Sequence, residues 1–135
     1  MSNYINEANS CLGIANEFFK NIDASPAKKE LLTRHCCNQL HDAILFYIKG
    51  VYEIYNHDVS KFYRLSELIE EVKKIQNTLT PMLIDIFMML NDKMKILDSW
   101  SPSAKGQFSA SEEDIFEMFI ICGKFKALIR EAQES

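Results

Sequence analysis

Apolar residues recur along this chain at steps of three and four positions, which is the spacing of one face of an α-helix. No segment shows a convincing strand pattern. We therefore predict an all-α fold, an up-and-down bundle of about five helices that uses residues 1–135 as a single domain. The predicted helices cover about residues 3–21, 26–55, 65–77, 81–97 and, from a start near 109–111, the stretch to 132.

The second predicted helix is the longest, and residues 40–55 within it are apolar on nearly all sides. A helix with this pattern is buried by neighbours on several sides, so we expect it at the centre of the bundle. Four shorter helices are too few to cover such a surface, which leads us to expect a homodimer. Gly50 lies inside this helix and costs roughly 1 kcal/mol there relative to alanine, which indicates a close crossing with another helix.

Short polar motifs predict where helices begin. Ser25 and Thr80 each precede a proline, and a hydroxyl at that position can accept a hydrogen bond from a free backbone N–H of the following helix. Ser109 and Glu112 have the spacing of a capping box, which predicts the start of the last helix.

The composition argues against some classes of function. The chain has 15 Lys and Arg against 19 Asp and Glu, a net charge of −4, whereas a general nucleic-acid binder is usually basic. A local basic face remains compatible with this charge. No segment reaches about 18 uncharged apolar residues, and the first residues lack the pattern of a secretion signal. We therefore expect a cytoplasmic protein that does not bind a membrane.

Metal and cofactor sites are not predicted. The four cysteines lie in apolar contexts without a C-x-x-C pair, which is typical of reduced, mostly buried thiols. His41 and Asp42 are adjacent on a helix and diverge, so they cannot chelate a metal without other partners. His57 and Asp58 are expected to end the second helix, with Asp58 or Ser60 satisfying free N–H groups. The chain also has no H-E-x-x-H motif and no glycine-rich phosphate loop.

Four segments together resemble a known family. They are an apolar helix with an internal lysine (41–52), a turn followed by a leucine-rich helix (63–68), a loop with tryptophan and proline (99–102) and an acidic helix start (111–114). In this order they resemble the HEPN family, the higher eukaryotes and prokaryotes nucleotide-binding domain. The resemblance implies a small, usually dimeric helical bundle that acts beside a nucleotidyltransferase or in a defence or toxin–antitoxin system.

One departure from that family decides between two functions. Many catalytic members carry an Arg-x4–6-His motif late in the domain, but here no arginine lies between Arg64 and Arg130 and no histidine follows His57. The absence favours a non-catalytic module that binds a nucleotide, RNA or a protein partner.

The candidate ligand-binding residues are Lys49, Tyr52, Arg64 and Trp100. The tyrosines near the end of the second helix either form core and dimer interface, or offer a stacking platform to a base while Lys49 or Arg64 meets a phosphate. Trp100 is the only tryptophan, and it either covers the end of the bundle or lines a binding cleft.

Arg34 and His41 are the candidate catalytic pair of an alternative hypothesis. They are seven residues apart, which is two helical turns, so they share one helix face roughly 10 Å apart along the axis. RNA cleavage without a metal needs a base near the 2′-hydroxyl and a cation near the phosphate, and this pair can supply both. A metal-independent ribonuclease is therefore the second hypothesis, and a helical adaptor without a ligand is the third.

Overall fold

The computed structural model describes residues 3–75, 79–104 and 106–134, and every regular element in these residues is helical. It confirms the all-α class and the helical bundle. The helices are α1 Asn3–Asn21, α2 Lys29–Ile54, α3 Leu65–Ile75, α4 Pro81–Asp92, α5 Met94–Ser99 and α6 Glu112–Glu134. The predicted end of the third helix near residue 77 lies outside the described residues. In the part of the chain that is described, no helix is long and apolar enough to cross a membrane.

The fourth predicted helix is two helices in the structure, α4 and α5, which meet at Lys93. The backbone of Lys93 leaves the helical conformation, with φ −107° and ψ 7°. Its Nζ atom forms ion pairs with two residues of α6, at 3.3 Å from a carboxylate oxygen of Asp114 and 2.9 Å from a carboxylate oxygen of Glu117. Leu90 and Leu97 are fully buried on either side of the break. Because the apolar spacing continues across it, the pattern predicts a single helix.

The predicted caps of α2 and α4 have opposite outcomes. The N–H of Leu83 donates to the Thr80 hydroxyl at 3.3 Å, which confirms the cap of α4. The prediction for Ser25 is wrong, because its side chain makes no capping hydrogen bond. A short 3-10 turn, Pro26–Lys28, follows Ser25, and α2 begins only after it.

The last helix starts where predicted but uses a different cap. The N–H of Asp114 donates to the Ser111 hydroxyl at 3.1 Å, so Ser111 caps α6 and Ser109 does not. Ser109 lies two residues earlier, and its carbonyl oxygen accepts the indole N–H of Trp100 at 2.8 Å. Through this hydrogen bond, Ser109 holds the preceding loop against the bundle.

Helix α2 is central, as predicted. Each of residues 40–52 is buried or half-buried within a single chain, where α1, α3 and α6 pack around the helix. Most of the apolar surface that led us to expect a homodimer is therefore covered by the chain itself, although Ile54 near the end of the helix is 38% exposed. The homodimer stays a prediction, but this argument no longer supports it.

Gly50 marks a close crossing of α1 and α2, as predicted. A Cβ atom on Gly50 would lie 2.7 Å from Cγ1 of Ile5 in α1, well inside van der Waals contact. The missing side chain thus allows the two helices to approach.

The end of α2 directs the following turn. Asn56 adopts the left-handed conformation with φ 59°, and the N–H of His57 donates back to the carbonyl of Tyr52 at 2.9 Å, an arrangement that closes many helices. The N–H of Ser60 donates to a carboxylate oxygen of Asp58 at 3.0 Å, which confirms the predicted terminator. The chain then leads through residues 61–64 into α3.

Candidate functional site

A cleft of about 300 Å³ lies between α2, the start of α3 and the loop after α5. We call it the His41–Arg64 cleft. Its lining residues are His41, Tyr63, Arg64, Leu65, Ser66, Asp98, Ser101, Ser103 and Ala104. The cleft brings together two of the residues predicted from the sequence, His41 and Arg64, which belonged to different hypotheses.

His41 lies on the α2 wall of the cleft and is only 6% exposed. Its Nδ1 lies 3.0 Å from a carboxylate oxygen of Asp42, so the adjacent side chains do meet despite their divergence on the helix. A carboxylate can only accept, so Nδ1 donates in this bond, and in the neutral form of the ring Nε2 is then the acceptor. The pair holds the ring in one orientation.

Arg64 supplies the fixed positive charge of the cleft. Its side chain is exposed and forms no ion pair with any described residue, while its carbonyl accepts the N–H of Leu68 at 3.3 Å and so anchors its backbone to α3. Leu65 and Ser66 form the first turn of α3, where free N–H groups and the helix dipole favour a negative group. Arg64 and the N-terminal end of α3 therefore both attract a negatively charged group.

Asp98 and two serines form the opposite wall. Asp98 is exposed on α5 and brings a carboxylate into the cleft. The hydroxyls of Ser101 and Ser103 lie 3.1 Å apart and can donate or accept hydrogen bonds. One cation, one carboxylate, one imidazole and several hydroxyls suit a ligand that carries one negative group and several hydroxyls.

Lys49 lies outside the cleft but is connected to it through Tyr63. Its Nζ lies 5.3 Å from the centroid of the Tyr4 ring and 5.5 Å from that of Tyr63, both within the range of cation–π attraction. Lys49 is 6% exposed, and this burial lowers the pKa of its amine. The Tyr63 ring is 79% exposed, so the lysine supports an aromatic face that is open to solvent.

Tyr52 and Trp100, two of the predicted ligand-binding residues, are part of the core. Both are fully buried. The Tyr52 hydroxyl donates to the carbonyl of Leu68, and burial raises the pKa of that hydroxyl. The indole N–H of Trp100 donates a hydrogen bond to the carbonyl oxygen of Ser109. Neither ring has a face open to a ligand, so these contacts agree with the structural interpretation of both residues.

Arg34 and His41 have different surroundings. Arg34 is exposed, and its guanidinium carbon lies 4.8 Å from the centroid of the Phe108 ring, away from the residues that line the cleft. The arginine that shares the cleft with His41 is Arg64. The structure therefore does not bring the predicted catalytic pair together at this cleft.

A polar cluster that the sequence pattern did not indicate holds the turn between α2 and α3. Nε2 of His57 lies 2.8 Å from one carboxylate oxygen of Glu71, and Nζ of Lys74 lies 2.9 Å from the other. The hydrogen bond from His57, followed by that from Lys74, lowers the pKa of Glu71. Since the turn leads to Tyr63 and Arg64, the cluster helps to position one wall of the cleft.

The sequence pattern also missed Asp98 and the serines of the cleft. Ser101 and Ser103 flank Pro102, in the polar loop that contains Trp100. The available signal was the concentration of polar residues beside the only tryptophan. Which of them would face His41 depends on the fold of the loop.

The largest of the other cavities lacks a cationic lining residue, and no metal site is evident in the described residues. A groove of about 530 Å³ near Ile54, Met82 and Leu128 is larger, but no Lys, Arg or His lines it. Among the described residues, no group of three or more His, Cys, Asp and Glu side chains is placed to hold a metal ion. The four cysteines are free, and three of them are buried.

Comparisons with protein-family models, with curated proteins and with solved structures give no match to this chain. The resemblance to the HEPN family therefore stays a prediction made from the residues.

Proposed function

We propose that this chain is a non-catalytic, HEPN-like helical module that binds a nucleotide in the His41–Arg64 cleft. The observation that carries the proposal is the position of Arg64, an exposed arginine without an ion pair in the described chain, beside the exposed ring of Tyr63. A guanidinium can hold two phosphate oxygens at once. An aromatic ring beside it can stack on a base.

Asp98 restricts the charge of the ligand. Its carboxylate lies in the same small cleft as Arg64, so each further phosphate would meet repulsion that one arginine does not offset. The same carboxylate can accept hydrogen bonds from sugar hydroxyls. The preferred ligand in this proposal is therefore a nucleoside monophosphate.

Isothermal titration calorimetry with AMP, ATP and adenosine tests the proposal. We expect AMP to bind more tightly than ATP and adenosine. Arg64→Ala should weaken AMP binding by tenfold or more, since a charge-assisted hydrogen bond contributes about 1.5–3 kcal/mol. Arg130→Ala removes an exposed arginine of α6 outside the cleft and should leave AMP binding unchanged.

Two further variants test the stacking of Tyr63 on the base and the effect of the Asp98 carboxylate. Tyr63→Ala should weaken AMP about tenfold through lost stacking, and Asp98→Asn should raise the affinity for ATP more than that for AMP. If none of the three compounds binds at millimolar concentration, the proposal fails and the helical adaptor without a ligand is the better description.

The metal-independent ribonuclease is the second candidate, and the hydrogen bond between His41 and Asp42 favours it. This bond leaves Nε2 of the ring able to accept a proton, as a general base must. RNA degradation in the presence of EDTA should be lost in His41→Ala. Loss in Arg64→Ala but not in Arg34→Ala would place the activity in the cleft, and the reverse would support the original pair. An RNA that stays intact with the wild type excludes the enzyme.

The proposal also keeps the nucleotidyltransferase partner and the defence or toxin–antitoxin setting that the resemblance implies. Nucleotidyltransferases use nucleotides, so a module that retains a monophosphate fits beside one. Co-expression of this chain with a nucleotidyltransferase, followed by affinity purification, tests that pairing.

A further inference from the structure

Helix α6 carries two large apolar side chains that the fold leaves about half exposed, although the Phe116 ring also packs edge-on against Phe19, with ring centroids 5.4 Å apart. Phe116 and Ile120 are one turn apart and are 51% and 54% exposed. Glu113 precedes them and Lys124 follows them on the same face, because the four positions are separated by three, four and four residues. All four side chains are exposed. We call these four residues the α6 stripe.

The charges of the α6 stripe have no partner within the chain. Among the described residues, neither Glu113 nor Lys124 takes part in an ion pair, although the nearby Asp114 and Glu117 both bind Lys93. The stripe thus has a negative end, an apolar centre and a positive end. Such an arrangement is complementary to a second copy of itself that runs in the opposite direction.

We propose that the α6 stripe is a self-association surface, on which the α6 helices of two copies pack antiparallel about a twofold axis. The order of the residues supports this occupant. The midpoint between Phe116 and Ile120 is Met118, and the midpoint between Glu113 and Lys124 lies between Met118 and Phe119.

One twofold axis near Met118 therefore makes both kinds of contact at once. It brings Phe116 of each copy to Ile120 of the other, and Glu113 of each copy to Lys124 of the other. Because a twofold interface repeats every contact, two apolar contacts and two ion pairs form together. The open space around Gly123 helps the close approach, since even an added Cβ would meet nothing within 4 Å.

The expected dimer is weak. An α-helix of 23 residues is about 34 Å long, and one helix pair covers less than the roughly 800 Å² per partner of a standard interface. We therefore expect a weak dimer with a dissociation constant of about 10–100 μM. The surface is separate from the His41–Arg64 cleft, so its association does not depend on nucleotide binding.

Sedimentation equilibrium of the purified chain tests the proposal. The apparent mass should rise from one chain towards two as the concentration increases to about 200 μM, a few times the expected dissociation constant. Ile120→Ser and Phe116→Ser should each weaken association by more than about tenfold, because each removes two apolar contacts per dimer. Met88→Ser is the matched control, since Met88 on α4 is also large, apolar and 63% exposed. It should leave the association unchanged.

A charge exchange tests the antiparallel register. Glu113→Lys and Lys124→Glu should each weaken the dimer about fivefold to tenfold at low salt, because each places like charges opposite one another. The double variant Glu113→Lys/Lys124→Glu restores opposite charges and should restore association. A wild type that remains a single chain at 200 μM overturns the proposal. So does a double variant that is weaker than both single variants, or a Met88→Ser variant that abolishes association.

Discussion

Replacing Gly50 with alanine tests how closely α1 and α2 approach. The new Cβ atom would lie 2.7 Å from Cγ1 of Ile5 and 3.6 Å from the Ile5 backbone nitrogen. Cγ1 is bonded directly to the Cβ atom of Ile5, so it moves away only if the side chain changes rotamer or the helix that carries it shifts. The two helices, or the Ile5 rotamer, must therefore shift to accept the substitution.

The size of the effect follows from two opposing contributions. Alanine is more favourable than glycine inside a helix by about 1 kcal/mol, whereas an extra methyl group in a packed interior costs about 1–3 kcal/mol. We expect Gly50→Ala to lower the free energy of unfolding by about 0–2 kcal/mol. The matched control is Gly13→Ala in α1, where an added Cβ meets nothing within 4 Å. That variant should gain about 0.5–1 kcal/mol.

Urea unfolding, followed by circular dichroism and by the fluorescence of Trp100, measures both variants. Their difference isolates the packing cost, since the helix-propensity gain is similar in each. Adding Ile5→Ala to Gly50→Ala should remove much of that cost, with a coupling free energy of at least about 0.5 kcal/mol. The reasoning is refuted if Gly50→Ala is as stable as Gly13→Ala, or if the Ile5 and Gly50 substitutions act additively.

Three further predictions concern the buried polar groups. Because the pKa of Glu71 is lowered in the folded state, its stabilisation is present above its unfolded pKa near 4.3 and is lost as the pH falls through the folded value. Glu71→Gln should therefore be less stable than the wild type at pH 7, and the difference should close as the pH falls through the folded pKa of Glu71. A difference that does not change with pH contradicts the role of the hydrogen bond from His57. Tyr52→Phe should lower the free energy of unfolding in urea by about 1 kcal/mol, because the hydrogen bond to Leu68 is lost. A large loss of AMP affinity in this variant would instead show that Tyr52 contributes to ligand binding. Burial raises the pKa of Cys36 to about 12 and also raises the pKa values of the other three thiols. A thiol reagent at pH 8 should therefore modify the native protein slowly and the urea-unfolded protein rapidly. Fast labelling of the native protein would show that a thiol is accessible.

The apolar periodicity predicted the helices well because burial on one face is a local property of the sequence. The central position of α2 followed from its apolar residues on every side, and Gly50 correctly indicated a close crossing. The same periodicity failed at Lys93, where buried leucines continue on both sides of a break. Ion pairs with α6 accompany that break, and they involve residues more than twenty positions away.

The candidate site was only partly predictable for the same reason. Residue type selected Arg64 and His41, since a guanidinium and an imidazole are the groups that meet phosphates and transfer protons. Tyr52 and Trp100 have equally suitable chemistry, but the bundle uses their rings as core and satisfies their polar atoms internally. Exposure, which separates Tyr63 from Tyr52, depends on how α3 packs against α2.

The amino-acid sequence by itself determined the helical class, the approximate helix limits and the central helix, because these follow from the spacing of apolar residues and from local capping chemistry. Only the tertiary structure decided which polar residues meet. It placed Arg64, His41 and Asp98 on one cleft, and it left Phe116 and Ile120 about half exposed on α6. Those outcomes depend on the relative positions of helices distant in the chain, which are determined by packing and long-range ion pairs.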